Sequence, residues 1–92
     1  MTLVFEWDAE KAAANRIKHG ISFELAARVF YDPSRIDRYD DRENYGEERF
    51  LTIGLVGQVA LIVTYTMRGD SIRIISARKA DRHEQGTYWE NR

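Results

Sequence analysis

The sequence has 92 residues, a length that suits one compact domain and is too short for two separate hydrophobic cores. It contains no cysteine, which excludes disulfide bonds, thiol chemistry and metal sites with cysteine ligands. The formal net charge is -1, from 14 basic and 15 acidic residues, and this excludes a protein that binds nucleic acid through gross positive charge. We therefore predict a single domain over residues 1–92.

Two short helices are predicted after a short first strand. Residues 3–7 alternate apolar and polar side chains and predict the strand. Asp8 stands at the N-cap position of a helix over residues 9–18, and Gly20 provides the left-handed stop after it. A second amphipathic helix, capped by Ser22, is expected over residues 23–30.

The second half of the chain changes to the period of β-strands. Gly57-Gln58 and Gly69-Asp70 are typical of two-residue hairpin turns, and they separate three strands rich in β-branched residues, at 48–56, 59–68 and 71–78. Residues 37–45 give a weak signal for an additional edge strand. A capping box from Asp81 to Glu84 predicts a last helix that ends near Asn91.

Counting residues from the two turns predicts the register of this three-stranded meander. Val56 then lies opposite Val59, and Arg68 opposite Ser71. One face, expected to form the core, carries Leu51, Ile53, Leu55, Ala60, Ile62, Thr64, Ile75 and Ala77. The opposite face carries Phe50, Thr52, Val59, Leu61, Val63, Tyr65, Ile74, Ser76 and Arg78.

Charge is segregated along the chain. Residues 1–48 carry seven basic and eleven acidic side chains, a balance of -4, whereas residues 49–92 carry seven basic and four acidic side chains, a balance of +3. The acidic excess is greatest over residues 32–48. This asymmetry is informative about partners, although an uneven solvated surface explains it equally well.

Lys18-His19 falls at the predicted end of the first helix. Cations at that position stabilise the helix dipole and cap free carbonyl groups, which is a purely structural role. Imidazole also transfers protons near neutral pH, and the lysine beside it is suited to a phosphate contact. Both interpretations remain open for this pair.

Three further groups have a functional and a structural interpretation. Arg49 and Arg73 share a predicted row with Thr66, where they form either a phosphate clamp or ion pairs with neighbouring carboxylates. Arg78-Lys79 precedes a helix N-terminus, where the two cations either help to bind an anion or are ordinary surface cations at a helix entry. Tyr88 and Trp89 either stack on nucleobases or dock the last helix.

Several blocks of the sequence together resemble the BrnT family of small toxins. The resemblance runs from residue 5 to residue 88 and rests on Phe5-Glu6-Trp7-Asp8, Lys18-His19-Gly20, Phe30-Tyr31-Asp32-Pro33 and Ile75-Ser76-Ala77-Arg78-Lys79-Ala80, with Lys11, Asn15, Phe23, Ala26, Glu48, Arg49, Gly54, Glu84 and Tyr88. It implies an α+β, RelE-like fold in which a short N-terminal strand and two helices precede an antiparallel meander sheet and a C-terminal helix.

The same resemblance implies the toxin of a type II toxin–antitoxin system. Its activity is expected to be that of a metal-independent endoribonuclease that cleaves RNA and inhibits translation, with no cofactor and no metal. A ribbon-helix-helix antitoxin of the BrnA kind is expected to neutralise it and to form an autorepressing complex with it, in which the antitoxin contacts operator DNA. With no long apolar run and no signal-peptide pattern, we expect a cytoplasmic location without membrane contact.

RNA cleavage without metal needs a proton acceptor, cations that stabilise the charged phosphate, and a proton donor. The polar members of the matched blocks at element ends form the predicted catalytic set, which is Lys18, His19, Arg49, Arg78, Lys79 and Glu84. Within it His19 transfers protons, the arginines clamp phosphate, and Glu84 either orients or accepts a proton. The predicted RNA-binding set is Arg73, Ser76, Arg82 and Tyr88.

Two alternatives accompany this hypothesis. In the first alternative, the chain is a non-catalytic module that binds RNA or protein through the same cationic strand end. The acidic residues between 37 and 48 are either a solvated surface or the face that docks a basic antitoxin.

Overall fold

The computed structural model describes residues 2–91, which form an α+β fold. This confirms the predicted class, with an N-terminal strand, helices, a β-sheet and a C-terminal helix. No helix in the described range is long and apolar enough to cross a membrane. The elements in chain order are β1 (Val4–Glu6), α1 (Ala9–His19), α2 (Phe23–Ala27), a 3-10 turn (Arg28–Tyr31), β2 (Ile36–Asp40), β3 (Arg49–Val56), β4 (Val59–Arg68), β5 (Ser71–Lys79) and α3 (Arg82–Glu90).

The first and last helices begin and end close to where the capping signals predict. The Asp8 side chain accepts a hydrogen bond from the backbone N of Lys11 at 2.9 Å, and Gly20 ends α1 with a φ of 72°. The capping box of α3 is complete, because Asp81 and Glu84 each accept the other's backbone N–H. The second helix is shorter than predicted, since after Ala27 its last turn tightens to the 3-10 form.

The five strands form one sheet in the order β1-β5-β4-β3-β2. The weakly predicted edge strand exists as β2, but it ends at Asp40 and does not extend to residue 45. It pairs antiparallel with β3, from Ile36 opposite Ile53 to Asp40 opposite Arg49. At the other edge, β1 runs parallel to β5 but pairs only with Ser71 to Arg73. Beyond those three residues, no strand formed by residues 2–91 covers the outer edge of β5.

The meander is confirmed, and its predicted register holds along the whole of the β3–β4 pair. Between β4 and β5 it holds from Arg68 to Tyr65. Val56 lies opposite Val59 and Thr66 opposite Arg73, as counted from the turns. A β-bulge then inserts Ile75, so that Tyr65 pairs with Ile74 and Thr64 pairs with Ser76. Because side chains alternate between faces, the extra residue moves Ser76 and Arg78 to the face of Ile62 and Thr64 and moves Ala77 to the other face.

The larger core therefore lies on the face opposite to the predicted one. There α1, α2 and the 3-10 turn cover the sheet, and the buried members are Ile21, Phe23, Ala26, Val29, Phe30, Leu61, Val63, Tyr65, Ile72, Ile74 and Ala77. The predicted core face carries a smaller cluster of Ile53, Ala60, Ile62, Ala80 and Tyr88 beneath α3. The nine residues of α3 cover only part of this face, and the remainder carries both polar and apolar side chains.

Gly54 lies where the 3-10 turn approaches β3 most closely. A Cβ atom at this position would lie 2.9 Å from Val29 Cγ1 and 3.1 Å from Arg35 Cβ. Gly54 is therefore needed for packing and not for an unusual φ angle. The neighbouring Asp32 accepts a hydrogen bond from the backbone N of Leu55 at 2.8 Å and holds the same turn against the strand.

Gly54→Ala is expected to lower the free energy of unfolding by about 1–3 kcal/mol, because the added methyl group overpacks the contact with Val29. Urea denaturation measures the change. Gly86→Ala in α3 is the matched control, since a Cβ there meets nothing within 4 Å, and we expect it to be neutral or stabilising by about 0.5–1 kcal/mol. Equal stability of Gly54→Ala and the native chain would contradict this account.

Candidate functional site

A polar cavity of about 350 Å³ opens on the face of the sheet that α3 only partly covers. Its floor is formed by β3, β4 and β5, and the ends of α1 and α3 form parts of its wall. The lining residues are Lys18, His19, Arg42, Leu51, Ile62, Thr64, Ser76, Ala77, Arg78 and Glu84. Five of them belong to the predicted catalytic or RNA-binding sets, namely Lys18, His19, Ser76, Arg78 and Glu84.

Lys18 and His19 reach the cavity from the last turn of α1. Asp8 and Gly20 set the two ends of this helix, and these caps place the pair at its C-terminus. Within residues 2–91 neither side chain forms a hydrogen bond or an ion pair. An ammonium group and an imidazole ring therefore face the cavity with their polar atoms available to a ligand.

Arg78 is held by Glu84 through a bidentate ion pair. Its Nη1 and Nη2 atoms each donate to a different Glu84 oxygen at 2.7 Å, and Glu84 Oε1 also accepts the backbone N–H of Asp81 at 2.8 Å. These hydrogen bonds lower the pKa of Glu84 and raise the pKa of Arg78. Glu84 therefore remains ionised at neutral pH, a state suited to orienting Arg78.

Arg42 is a cavity residue that the sequence did not reveal. Its Nε and Nη2 atoms donate to the two oxygens of Asp40 at 2.7 and 2.9 Å. Asp40 is buried, and the hydrogen bonds from Arg42 keep the pKa of this carboxyl below its usual range. Because β2 places Asp40 beside β3, the paired Arg42 extends over the sheet toward Arg78. The position of Arg42 over the sheet depends on the strand order, which places β2 beside β3.

Arg49 and Arg73 share the predicted row with Thr66 but lie outside the cavity lining. Arg73 Nη1 lies 3.2 Å from Glu6 Oε2, and Arg49 Nε lies 3.6 Å from Glu47 Oε2. The Arg49 guanidinium also stacks on the Tyr45 ring, with its Cζ atom 4.0 Å from the ring centre. Ion pairing, the structural alternative for this row, is the arrangement that the fold adopts.

Three other predicted residues also lie elsewhere. Tyr88 is fully buried and donates to Asp32 Oδ2 at 2.6 Å, so that its ring presents no face to a nucleobase. Lys79 borders a separate apolar groove on the opposite face, because consecutive residues of β5 point to opposite faces of the sheet. Arg82 is exposed in the first turn of α3 and does not line the cavity.

The cavity combines positive charge with hydroxyl groups and one imidazole. Lys18, Arg42 and Arg78 carry three positive charges against the carboxylates of Glu84 and of Asp40 behind Arg42, which leaves one net positive charge. Thr64 and Ser76 add hydroxyl groups to the lining. Guanidinium and ammonium groups are the usual protein ligands of phosphate oxygens. No group of three or more His, Asp or Glu side chains placed to hold a metal ion occurs among residues 2–91. The arrangement can bind an anion beside a group that transfers protons.

Glu84→Gln is expected to destabilise the chain at neutral pH and progressively less in acid. The folded state lowers the pKa of Glu84, so its stabilisation is present above the ordinary value of 4.5 and is lost as the pH falls through the lowered pKa. Denaturation of both proteins across this range measures the difference. Glu90→Gln, an exposed position in the same helix, is the control. A stability gap unchanged well below pH 4.5 would contradict the assignment.

The sequence was compared with protein-family models and with curated proteins. No curated protein matches it. Residues 7–84 match the family model of the BrnT ribonuclease toxin of type II toxin–antitoxin systems. This match includes α1, α2, strands β2 to β5 and the start of α3, and only β1 of the sheet lies outside it. It therefore contains every residue that lines the cavity. The chain belongs to the BrnT family of ribonuclease toxins.

Proposed function

We propose that this ribonuclease toxin is a metal-independent endoribonuclease whose active site is the polar cavity. The observation that carries the proposal is the convergence of Lys18, His19, Ser76 and Arg78 from α1 and β5 in one cavity. Because α1 and β5 are far apart in the sequence, only the fold brings these side chains together. Cleavage of RNA in the cytoplasm and inhibition of translation follow from the same proposal.

Cleavage in this scheme uses the 2′-hydroxyl of the RNA as the nucleophile. His19 accepts the proton of the 2′-hydroxyl while the 2′-oxygen forms a bond to phosphorus. The P–O5′ bond breaks, and the 5′-oxygen takes a proton from the Lys18 ammonium group. The products are a 2′,3′-cyclic phosphate and a 5′-hydroxyl end, so that all bonds and protons are accounted for.

Arg78 and Arg42 stabilise the charge that develops on the phosphate. Fixed cations aimed at the developing charge need no reorganisation during the reaction, and this makes them more effective than mobile ones. Glu84 fixes Arg78, and Asp40 fixes Arg42, each through two hydrogen bonds. Of the two roles considered for Glu84, orientation is the one we propose, because its oxygens are already occupied and its pKa is lowered.

His19→Ala and Arg78→Ala are each expected to reduce RNA cleavage by about 100-fold or more, since one loses the proton acceptor and the other a phosphate ligand. The assay follows a defined RNA in excess EDTA, with analysis of the product ends. Arg28→Ala is the matched control, because it removes an exposed arginine on the opposite face. We expect it to cleave at the native rate.

Each result of this assay bears on the proposal. Native rates in His19→Ala and Arg78→Ala overturn the active-site assignment. RNA that the native chain binds but leaves intact favours the alternative, a non-catalytic RNA-binding module. If EDTA abolishes cleavage, the proposal of a metal-independent mechanism is wrong.

We further propose that the antitoxin partner implied by this family is a ribbon-helix-helix protein of the BrnA kind. The complex would repress its own transcription, with the antitoxin contacting operator DNA. The net charge of -1 supports this division of roles, because the toxin chain offers no overall positive charge to DNA.

The acidic segment remains a candidate docking surface, but fewer of its residues are available than the sequence implied. Asp37 pairs with Arg35, Glu47 pairs with Arg49 and Arg68, and Asp40 is buried with Arg42. Within this segment, the exposed acidic residues without an ion pair to another described residue are Asp41, Glu43 and Glu48. These three define the surface to be tested.

The variant Asp41→Asn with Glu43→Gln and Glu48→Gln is expected to bind the antitoxin with a slower association rate at low salt, and added salt should reduce the difference. Stopped-flow binding with the cognate antitoxin measures the rate. The control replaces Glu10, Glu24 and Glu90 by Gln, which changes the net charge equally at exposed positions elsewhere. Equal rates for the two triple variants would refute a specific acidic docking surface.

A further inference from the structure

We propose that Asn15 is the positioning residue of the cleavage site, because its amide fixes the end of α1 that carries Lys18 and His19 against the part of β5 that carries Ser76 and Arg78. This inference rests on the proposed function. Asn15 does not line the cavity, and it acts through the residues that do.

The Asn15 side chain forms three hydrogen bonds that join two distant parts of the chain. Its Nδ2 donates to the backbone O of Ala77 at 2.9 Å, and its Oδ1 accepts the backbone N–H of Ala77 at 3.0 Å. The same Nδ2 donates to the backbone O of Ile21 at 2.9 Å. Ala77 lies between Ser76 and Arg78, and Ile21 follows the glycine that ends α1, so the three hydrogen bonds join the two halves of the cavity.

These hydrogen bonds occupy an edge that no strand covers. β1 pairs with β5 only from Ser71 to Arg73, which leaves the N–H and C=O groups of Ala77 without a neighbouring strand. The Asn15 amide presents one donor and one acceptor to Ala77, as the backbone of a sixth strand would. Side-chain hydrogen bonding therefore replaces strand pairing at the point where the cavity begins.

Little else determines how α1 lies on the sheet. Asn15 is the buried residue of this helix, at 7% exposure, and Ala12 is its partly buried apolar contact with the core. Ile17 is 87% exposed and contributes no comparable packing. So small an apolar face does not fix the position of α1 along its own axis. The directional hydrogen bonds of the Asn15 amide fix that position.

Only an amide satisfies all three partners in this orientation. An aspartate would place a carboxylate oxygen against the carbonyl groups of Ile21 and Ala77, and a leucine would fill the space without any hydrogen bond. Either change allows Lys18 and His19 to shift relative to Arg78. A misplacement of about 1 Å is enough to reduce catalysis by about 100-fold, whereas RNA binding through exposed cations tolerates it.

The test measures cleavage by the full chain carrying Asn15→Leu, with Asn15→Ala as a smaller second variant. We expect kcat to fall by about 10- to 100-fold with KM changed less than about threefold. The matched control is Tyr65→Phe, which removes one side-chain hydrogen bond, to Asp37 Oδ1 at 2.9 Å, on the opposite face of the sheet. If loss of stability alone reduced activity, this control would lose kcat as well.

A double-mutant cycle tests whether Asn15 acts through the catalytic pair. Added to His19→Ala, the Asn15→Leu change should reduce cleavage by a smaller factor than it does in the native chain, because one of the two residues that Asn15 positions is already missing. Fully additive losses would overturn the positioning role. A native rate in His19→Ala alone would instead overturn the proposed active site, so the two failures are distinguishable.

Amide NMR spectra of the same variants require no cleavage. Asn15→Leu should shift the resonances of residues 18–20 and 76–78 and leave those of β2 and β3 in place. Should Asn15→Leu fail to fold, Asn15→Ala gives the same comparison. Unchanged resonances at 18–20, or native kcat in both variants, would overturn the inference.

Discussion

The candidate site depends on one extra residue in β5. The bulge at Ile75 shifts the pairing of β5 with β4 by one position, and a shift of one residue exchanges the two faces of a strand. Ser76 and Arg78 thereby reach the partly covered face, while Ala77 turns its small side chain into the main core. A regular strand would bury the arginine beneath the helices and expose apolar side chains to the cavity, so the bulge serves the core and the site together.

Short β-strands leave unpaired edges in this small sheet, and side chains complete them. Beyond the end of β1, the Asn15 side chain forms hydrogen bonds with the backbone N–H and C=O of Ala77. Beyond the start of β2, the Asp32 side chain accepts a hydrogen bond from the backbone N of Leu55. Each of these contacts also fixes a helical segment to the sheet, α1 in the first case and the 3-10 turn in the second. Directional hydrogen bonds thus fix the positions of α1 and the 3-10 turn on the sheet, which the small hydrophobic core alone does not fix.

Ion pairs account for much of the charge that the sequence displays. Arg73 pairs with Glu6, Arg49 with Glu47, and Arg42 with the buried Asp40, so that each pair joins side chains on neighbouring parts of the sheet surface. The cavity differs because Lys18 and His19 keep no partner within the described residues, while Glu84 and Asp40 hold the arginines in place. Ordered cations beside an unpaired imidazole are the groups that the proposed cleavage mechanism uses.

The sequence by itself determined the local structure: the helix caps at Asp8, Gly20 and Asp81, the two glycine turns and the three meander strands. These depend on neighbouring residues, so a local pattern is sufficient to predict them. Membership of a toxin family was also recognisable from short blocks spread along the chain. Tertiary structure alone decided the strand order, the bulge at Ile75, the burial of Tyr88 and the position of Arg42 over the sheet. Each of these is set by contacts between residues distant in the chain. A local sequence pattern therefore does not predict that Asn15 forms hydrogen bonds with the backbone of Ala77, 62 residues away.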